Sequence, residues 1–297
     1  MMHAGQLTVD VETVRSLIAA QFPAWAPLPV TPVDSDGTVN AIFRIGEGLA
    51  ARFPLEPGER SGVREKLEKE AAAAARLAGW TRFPTPEPVA SGAPGEGYPL
   101  PWSVQTWIPG TVATGIGAGA AFARDLAEFI GAVRAMPTGG RRFSGAGRGG
   151  ILLDHDEYVA ECLRESALLE RRGGLPEDWV PVSRLRREWA GMRGLPRGDT
   201  PDVMNHGDLM PGNVLIADGR LSGVLDVGGL RAADPALDLL GGWHLLESAD
   251  RGILRSALGG DDGEWARGRA WAFQQSMGSI WYYAETNPAM ASICAER

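Results

Sequence analysis

The spacing of the hydrophobic positions changes along the first third of the chain. Apolar residues recur at helical intervals over 9–22, behind Asp10 as a candidate N-cap. Segments 41–45 and 49–53 have the pattern of two strands around a short glycine-containing turn, which predicts a β-hairpin. Residues 60–78 are rich in alanine and charged helix formers and precede a glycine, which predicts a second helix.

A buried strand is predicted at 102–108, where an apolar run follows the proline-rich segment 84–101, which we expect to be rich in loops. The strand ends in the turn Pro109-Gly110, about one third of the way along the chain. A strand that ends in a turn at this point is a natural boundary between two lobes. We therefore predict a strand-rich lobe of residues 1–108 and a lobe of residues 109–297.

The second predicted lobe is mostly helical. Its helical patterns lie at 120–136, 156–171, 235–247 and 264–286. Two short strands separated by a turn are predicted at 213–216 and 221–226. The glycine- and arginine-rich stretch 138–150 is expected to be a flexible surface loop. Together the two lobes predict an α+β fold.

Composition and charge narrow the classes of function. The 297 residues are 44% hydrophobic and 22% charged, a mixture typical of soluble proteins. A net charge of −8 disfavours binding to anionic surfaces, so we expect neither nucleic acid nor a membrane as partner. A cationic small molecule is compatible with this charge. The cysteines, Cys162 and Cys294, predict neither a disulfide framework nor a zinc site. Without an export or membrane signal in the sequence, we expect a cytoplasmic protein, monomeric or homodimeric.

The densest chemical signal is His206-Gly207-Asp208, followed by Asn213 and, after the predicted hairpin, by Asp226 and Gly228. Each residue alone has a structural interpretation, because a histidine can be a buried hydrogen-bonding group and an aspartate can form a turn. The joint pattern is harder to obtain by chance. It is similar to the protein-kinase pattern H-R-D-x-x-x-x-N followed by D-F-G, in which one Asp takes a proton and Asn and the second Asp hold magnesium.

The chain resembles the aminoglycoside phosphotransferases and their relatives among antibiotic and small-molecule kinases. The resemblance implies a protein-kinase-like two-lobed fold, ATP or GTP as donor, Mg²⁺, and transfer of the γ-phosphoryl group to a hydroxyl. It assigns Asp208 as the base, His206 as a brace of the loop, and Asn213 and Asp226 as metal ligands. The motifs that carry it are His206-Gly207-Asp208 with Asn213, Leu225-Asp226-x-Gly228, Asp234-Pro235-Ala236-x-Asp238-Leu239, Ala51-Arg52-Phe53-Pro54, Trp107-Ile108-Pro109-Gly110 and Tyr282-Tyr283-x-x-Thr286-Asn287-Pro288.

Two positions depart from the family pattern. The residue after the D-x-G motif is usually polar or acidic, and here it is Gly229. The basic residue that holds phosphate is commonly lysine, and here it is Arg52, which can pair with phosphate oxygens bidentately. Glu70 lies on the apolar stripe of its helix and is the predicted partner of Arg52, unless it only sits at the edge of the stripe in water.

The remaining nucleotide contacts follow from position and from the resemblance. Ser35, Gly37 and Thr38 precede the hairpin and would approach the phosphates. Gln105, Trp107 and Ile108 would present backbone groups to the purine, although the tryptophan side chain is equally compatible with a core position.

The acceptor is the least determined part of the prediction. Residues 109–297 carry 25 acidic and 20 basic residues, so we hypothesise a polycationic, aminoglycoside-like acceptor. The carboxylates expected to hold it are Glu157, Glu161, Asp238 and Glu285. A solvated helix face is the alternative for the first two. Asp234 and Asp238 are interpreted mainly as structural residues that support the catalytic loop, which for Asp238 is the alternative to an acceptor contact. A macrolide would instead use Trp281, Tyr282 and Tyr283.

Three other functions stay open from the sequence. A kinase of the same fold for a metabolic alcohol such as choline, homoserine or a sugar would use the same catalytic residues. A nucleotide-binding pseudoenzyme or regulator is a candidate of another class. A metal-dependent phosphohydrolase fits less well, because one Asp and one Asn are too few for a two-metal site.

Overall fold

The computed structural model describes residues 6–33, 39–113, 119–145, 147–175 and 180–286; of residues 279–286 only the backbone is described. Contacts divide the chain into two units. The first contains the residues up to Gly79, Phe83–Gly110 and the short segment Gly223–Gly228. The second contains Trp80–Arg82, Thr111–Ser222 and the residues from Gly229 onward. The predicted lobes 1–108 and 109–297 stay a prediction.

The first unit is an antiparallel five-stranded sheet with two helices. The strands are ordered β1-β2-β3-β5-β4 in the sheet. The predicted hairpin is confirmed as β2 and β3, paired from Asn40–Pro54 to Ile45–Leu49. The elements are α1 (Val11–Gln21), β1 (Val30–Val33), β2 (Asn40–Ile45), β3 (Leu49–Pro54), α2 (Arg60–Leu77), β4 (Pro88–Gly92) and β5 (Trp102–Thr106).

Both edge strands of this sheet lie in proline-rich sequence. The segment 84–101, which we expected to be rich in loops, also contains the strand β4. Strand β1 likewise contains Pro32. Proline has no backbone N–H to donate to a ladder, but an edge strand needs to pair on one side only. Strand patterns interrupted by proline therefore remain compatible with the two edges of a sheet.

Stacked aromatic rings form the core of the first unit. The Phe53 and Trp102 rings stack with centroids 4.8 Å apart, and Tyr98 meets Phe53 edge-on at 5.1 Å. The Tyr98 hydroxyl donates to the carbonyl oxygen of Pro54 at 2.6 Å, and burial raises the pKa of this phenol. Helix α1 adds Leu17 and Ile18 to the same core. Asp10 caps that helix as predicted, accepting the Thr13 N–H at 2.8 Å.

The second unit is mostly helical, as predicted. Helix α8 confirms the pattern at 264–286, whereas the pattern at 235–247 becomes a 3-10 turn followed by the short helix α6. Among the described residues, no helix is both long and apolar enough to cross a membrane. The helices and strands are β6 (Thr111–Val112), α3 (Gly119–Ala135), α4 (Asp156–Arg171), α5 (Val182–Met192), β7 (Val203–Asn205), β8 (Val214–Ala217), β9 (Arg220–Val224), β10 (Arg231–Ala233), α6 (Gly241–Leu245), α7 (Ser248–Leu258) and α8 (Asp262–Thr286).

A buried carboxylate ties two distant segments to helix α3. Asp125 accepts hydrogen bonds from Arg220 Nε at 2.5 Å and from Arg82 Nη2 at 2.9 Å. The hydrogen bond from Arg220 is the main reason that the pKa of Asp125 is lowered, against the opposing effect of burial. This pairing explains why Trp80–Arg82, a short piece between parts of the first unit, groups with the second.

We expect Gly92→Ala to destabilise the protein. A β-carbon at this buried position in β4 would lie 2.0 Å from the indole ring of Trp102, which is packed in the aromatic core. Overpacking of this kind costs about 1–3 kcal/mol, to be measured as the free energy of unfolding in urea. Gly48→Ala is the matched control, because nothing lies within 4 Å of its β-carbon. Equal stability of the two variants would contradict the packing described for the core.

Candidate active site

The loop after β7 is shaped by a buried carboxylate. Asp238 has no exposed surface and accepts the backbone N–H groups of His206 and Gly207, each at 2.7 Å. Burial raises the pKa of Asp238, while the charge of His206 and the two N–H groups oppose that rise. Gly207 has a φ of +84°, a conformation that favours glycine. The bend at Gly207 lies between the buried His206 and Asp208, whose side chain is partly exposed.

Asp238 therefore does not contact an acceptor, and that expectation is wrong. Both of its carboxylate oxygens are used by backbone groups of the loop, and neither is exposed. The alternative interpretation of this residue, a structural role, is the one that the contacts support. His206 is also fully buried, and its Nδ1 accepts the Asp208 N–H at 3.3 Å, so it braces the loop rather than touching a ligand.

Both carboxylate oxygens of Asp208 accept hydrogen bonds, yet 36% of its side chain is exposed. The amide nitrogen of Asn213 donates to Asp208 Oδ2 at 2.7 Å and to the Asp208 carbonyl oxygen at 2.9 Å. These two bonds use the amide N–H groups of Asn213, which leaves its side-chain oxygen as the atom able to bind a cation. The spacing of five residues between Asp208 and Asn213 thus has a direct structural consequence.

Arg52, Glu70 and Asp226 come together in the first unit. Arg52 Nη1 donates to Glu70 Oε2 at 3.3 Å, and Arg52 Nη2 lies 3.8 Å from Asp226 Oδ1. Only 22% of the Glu70 side chain is exposed, so the predicted pair exists and the alternative of a glutamate in water is wrong. Asp226 is 48% exposed and has a φ of +52°, a sparsely populated conformation that is often found at functional sites.

These three charged groups line a cavity of about 210 Å³ in the first unit. Its opposite side is formed by β4 and β5 and includes Gln105, a predicted nucleotide contact. Trp107 and Ile108 are not part of the lining. The Trp107 N–H is already donated to the carbonyl oxygen of Gly48 at 2.8 Å, so this N–H is not available to a purine. A nucleotide contact by the other backbone groups of Trp107 and Ile108 stays a prediction. Ser35, Gly37 and Thr38 lie outside the described residues.

The carboxylates predicted to hold a cationic acceptor do not form a cluster in the described part of the chain. Glu157 and Glu161 are exposed on α4, and Glu161 pairs with Arg164 of the same helix. Trp281, Tyr282 and Glu285 belong to α8, but their side chains lie outside the described residues. Within the described residues, no three His, Cys, Asp or Glu side chains are grouped as a metal site.

Sequence analysis missed two residues that contact Asp208. Arg148 Nη2 donates to Asp208 Oδ1 at 3.0 Å, and the side-chain amide of Gln275 donates to the same oxygen. Arg148 belongs to the stretch that we expected to be a flexible surface loop; Gly147 is exposed, but Gly149 and Gly150 are closely packed. A β-carbon at Gly149 would lie 2.6 Å from the Ala233 side chain. Gly149, next to Arg148, was a usable signal, because glycine permits close approach between segments.

Comparison with known proteins shows the family of the chain. Residues 30–271 match the family model described as the phosphotransferase enzyme family, APH. The chain belongs to this family. The predicted resemblance to antibiotic kinases is thereby confirmed. No curated protein matches the sequence.

Several solved structures have a similar fold at low sequence identity. The GDP complex of wild-type aminoglycoside 2'-phosphotransferase-IIIa is 18% identical with a TM-score of 0.67, over 97% of this chain and 98% of that one. The macrolide 2'-phosphotransferase MphH from Brachybacterium faecium is 19% identical with a TM-score of 0.59, over 96% of both chains. The streptomycin-ATP-APH(2")-IIa ternary complex is 16% identical with a TM-score of 0.58, over 92% and 90%. The likeness shows the kinase-like α+β fold.

A double-mutant cycle tests the packing of the cavity. A β-carbon at Gly228 would lie 2.6 Å from Glu70 Cγ, so Gly228→Ala should lower the free energy of unfolding by about 1–3 kcal/mol. In a Glu70→Ala background the clashing atom is gone, and the same substitution should cost clearly less. Gly212→Ala, with nothing within 4 Å of its β-carbon, is the control. Additive costs would show that Gly228 does not meet Glu70.

Proposed function

We propose that this chain transfers the γ-phosphoryl group of ATP or GTP to a hydroxyl of a small molecule in the cytoplasm. The observation that carries the proposal is the Asp208 carboxylate, which is partly exposed and fixed by Asn213 in a loop of the His-Gly-Asp-x4-Asn type. A carboxylate that is oriented but still accessible is what a general base for a hydroxyl requires. Membership of the phosphotransferase family supports the reaction type.

Asp208 orients the acceptor hydroxyl and takes its proton as the oxygen attacks the γ-phosphorus. The bond from the γ-phosphorus to the β–γ bridging oxygen breaks, and ADP or GDP leaves. His206 and Asp238 contribute by holding the backbone of the loop, since both are buried. Little covalent chemistry is required of the protein in phosphoryl transfer, so positioning and charge neutralisation provide most of the rate enhancement.

Arg52 is the group that would hold the nucleotide phosphates. Glu70 restrains the Arg52 guanidinium, which pairs with phosphate oxygens, and Gln105 lines the same cavity. Asp226 in the first unit has a carboxylate oxygen and Asn213 in the second unit has an amide oxygen, and each would be a suitable ligand for Mg²⁺. This cation usually takes one or two protein carboxylates and completes its ligands with phosphate and water. Bound Mg²⁺ supplies positive charge to the phosphate oxygens.

The acceptor class that we propose first is an aminoglycoside-like aminosugar. Its support is the net charge of −8, the exposed Glu157 on α4, and solved relatives described with kanamycin, gentamicin or streptomycin. A macrolide is the second candidate, because two of the similar structures are macrolide 2'-phosphotransferases. A metabolic alcohol such as choline, homoserine or a sugar would use the same catalytic residues and is a third acceptor for the same assay.

The test is a coupled assay of nucleoside-diphosphate release against a panel of aminoglycosides, macrolides and metabolic alcohols, with ATP and with GTP. Asp208→Asn should retain nucleotide binding and lose about 10²- to 10⁴-fold in kcat, because an amide cannot take the hydroxyl proton. Asp199→Asn, at an exposed position of the same unit, is the matched control and should behave as wild type.

Two outcomes would contradict the proposal. If Asp208→Asn is folded and its kcat stays within about threefold of wild type, the base lies elsewhere. If the wild-type protein binds MgATP or MgGTP tightly yet transfers phosphate to no acceptor, the chain is a nucleotide-binding regulator rather than an enzyme.

A further inference from the structure

Two side chains from outside the catalytic loop converge on one oxygen of Asp208. Arg148 Nη2 donates to Asp208 Oδ1 at 3.0 Å and also lies 3.3 Å from the carbonyl oxygen of Gly207. Gln275, on α8, donates its amide N–H to the same Oδ1. All of these residues belong to the second unit.

The main chain around Arg148 is itself fixed. Arg231, on β10, donates from Nη2 to the Arg148 carbonyl oxygen at 3.1 Å and from Nη1 to the Gly229 carbonyl oxygen at 3.1 Å. Next to it, the Gly149 carbonyl oxygen accepts the Asp234 N–H at 2.9 Å. Burial, and then the positive charge of Arg148, lower the pKa of Arg231. The Arg148 side chain therefore extends from a rigid segment.

These contacts are not optimal for stability. Among the described residues, Arg148 Nε and Gln275 Oε1 are both buried without a hydrogen-bond partner. A buried polar group without a hydrogen bond lowers the free energy of unfolding. At functional sites such a group is often explained by the geometry that the site requires.

We infer that Arg148 and Gln275 are positioning residues that fix the plane of the Asp208 carboxylate for proton transfer. The role rests on the proposed function, in which Asp208 is the general base. With Asn213 bound to Oδ2 and both outer donors on Oδ1, the carboxylate cannot rotate without losing a hydrogen bond. Neither residue takes the proton.

A count of lone pairs shows where the acceptor meets the base. A carboxylate has about four lone-pair sites, two on each oxygen. Arg148 and Gln275 take those of Oδ1, and Asn213 takes one of Oδ2. The site that remains is on Oδ2, so the acceptor presents a single hydroxyl to Asp208, and any ammonium group of the acceptor is bound by other residues.

The experiment compares Arg148→Ala, Arg148→Lys and Gln275→Leu with wild type, using the best acceptor found. A misplaced base typically reduces turnover by about 10- to 100-fold, so Arg148→Ala and Gln275→Leu should lose that much kcat while the nucleotide KM changes little. Arg148→Lys should recover part of the loss, because one charged donor is restored. Guanidinium ion at a non-denaturing concentration should raise the kcat of Arg148→Ala, a rescue that a purely structural role would not give. Arg142→Ala, at an exposed position of the same stretch, is the matched control.

Crystal structures of the same variants give a readout that does not depend on turnover. The Asp208 carboxylate should rotate away from Asn213 in Arg148→Ala and Gln275→Leu. An unchanged kcat with an unchanged carboxylate would overturn the inference, and an increased kcat would show that Arg148 blocks the base instead. An active wild type with an inactive Asp208→Asn and a normal Arg148→Ala refutes this inference alone. A wild type that transfers phosphate to no acceptor refutes the proposed function, and the inference with it.

Discussion

The buried carboxylate of Asp238 is the constraint on which the catalytic loop depends. It accepts the N–H groups of His206 and Gly207, and its own N–H is donated to Asn205 Oδ1 at 3.3 Å. The Asn205 amide nitrogen in turn donates to the Ala233 carbonyl oxygen at 3.3 Å, so the Asn205 side chain links Asp238 to strand β10, which pairs with β7. A buried charge is tolerated only when it is fully hydrogen-bonded, and here the bonds that satisfy it also set the path of the chain at His206–Asp208.

A second buried carboxylate secures the segment that leads to Asp238. Asp234 accepts hydrogen bonds from Arg267 Nε at 2.7 Å and from the Ala236 N–H at 2.9 Å, and it has no exposed surface. The structural role expected for Asp234 therefore agrees with its contacts. Helix α8 thus anchors this segment through Arg267 and contacts the candidate base through Gln275. Asp234 and Asp238, the two aspartates of the motif Asp234-Pro235-Ala236-x-Asp238, therefore both help to position the catalytic loop.

The candidate phosphate-binding groups are organised separately, in the first unit. The chain leaves β9 and contributes Asp226 to that unit, where it lies beside Arg52 while Glu70 restrains the guanidinium from the other side. Glycine is needed at position 228 because a β-carbon there would lie 2.6 Å from Glu70 Cγ. Each unit therefore holds its own part of the proposed chemistry in a geometry fixed by local contacts.

The sequence was informative where spacing alone determines a contact. Asp208 and Asn213 are five residues apart on one loop, and Glu70 faces Arg52 because a helical stripe and a strand fix their directions. Arg148 and Gln275 could not be found in this way, since each reaches Asp208 from a distant segment. Helices α5 and α7 also escaped prediction, and the edge strands β1 and β4 were obscured by proline. The acceptor depends on side chains such as Glu285 that lie outside the described residues.

Hydrogen exchange in Asp238→Asn is the most direct test of the central claim that this carboxylate shapes the active loop. An amide replaces one accepting oxygen with a donor, so at least one of the His206 and Gly207 N–H groups loses its partner. We predict faster exchange of these two amides, a loss of about 1–3 kcal/mol in unfolding free energy, and a kcat lowered by about 10- to 100-fold. If both amides exchange as slowly as in wild type and kcat equals the wild-type value, the account is contradicted.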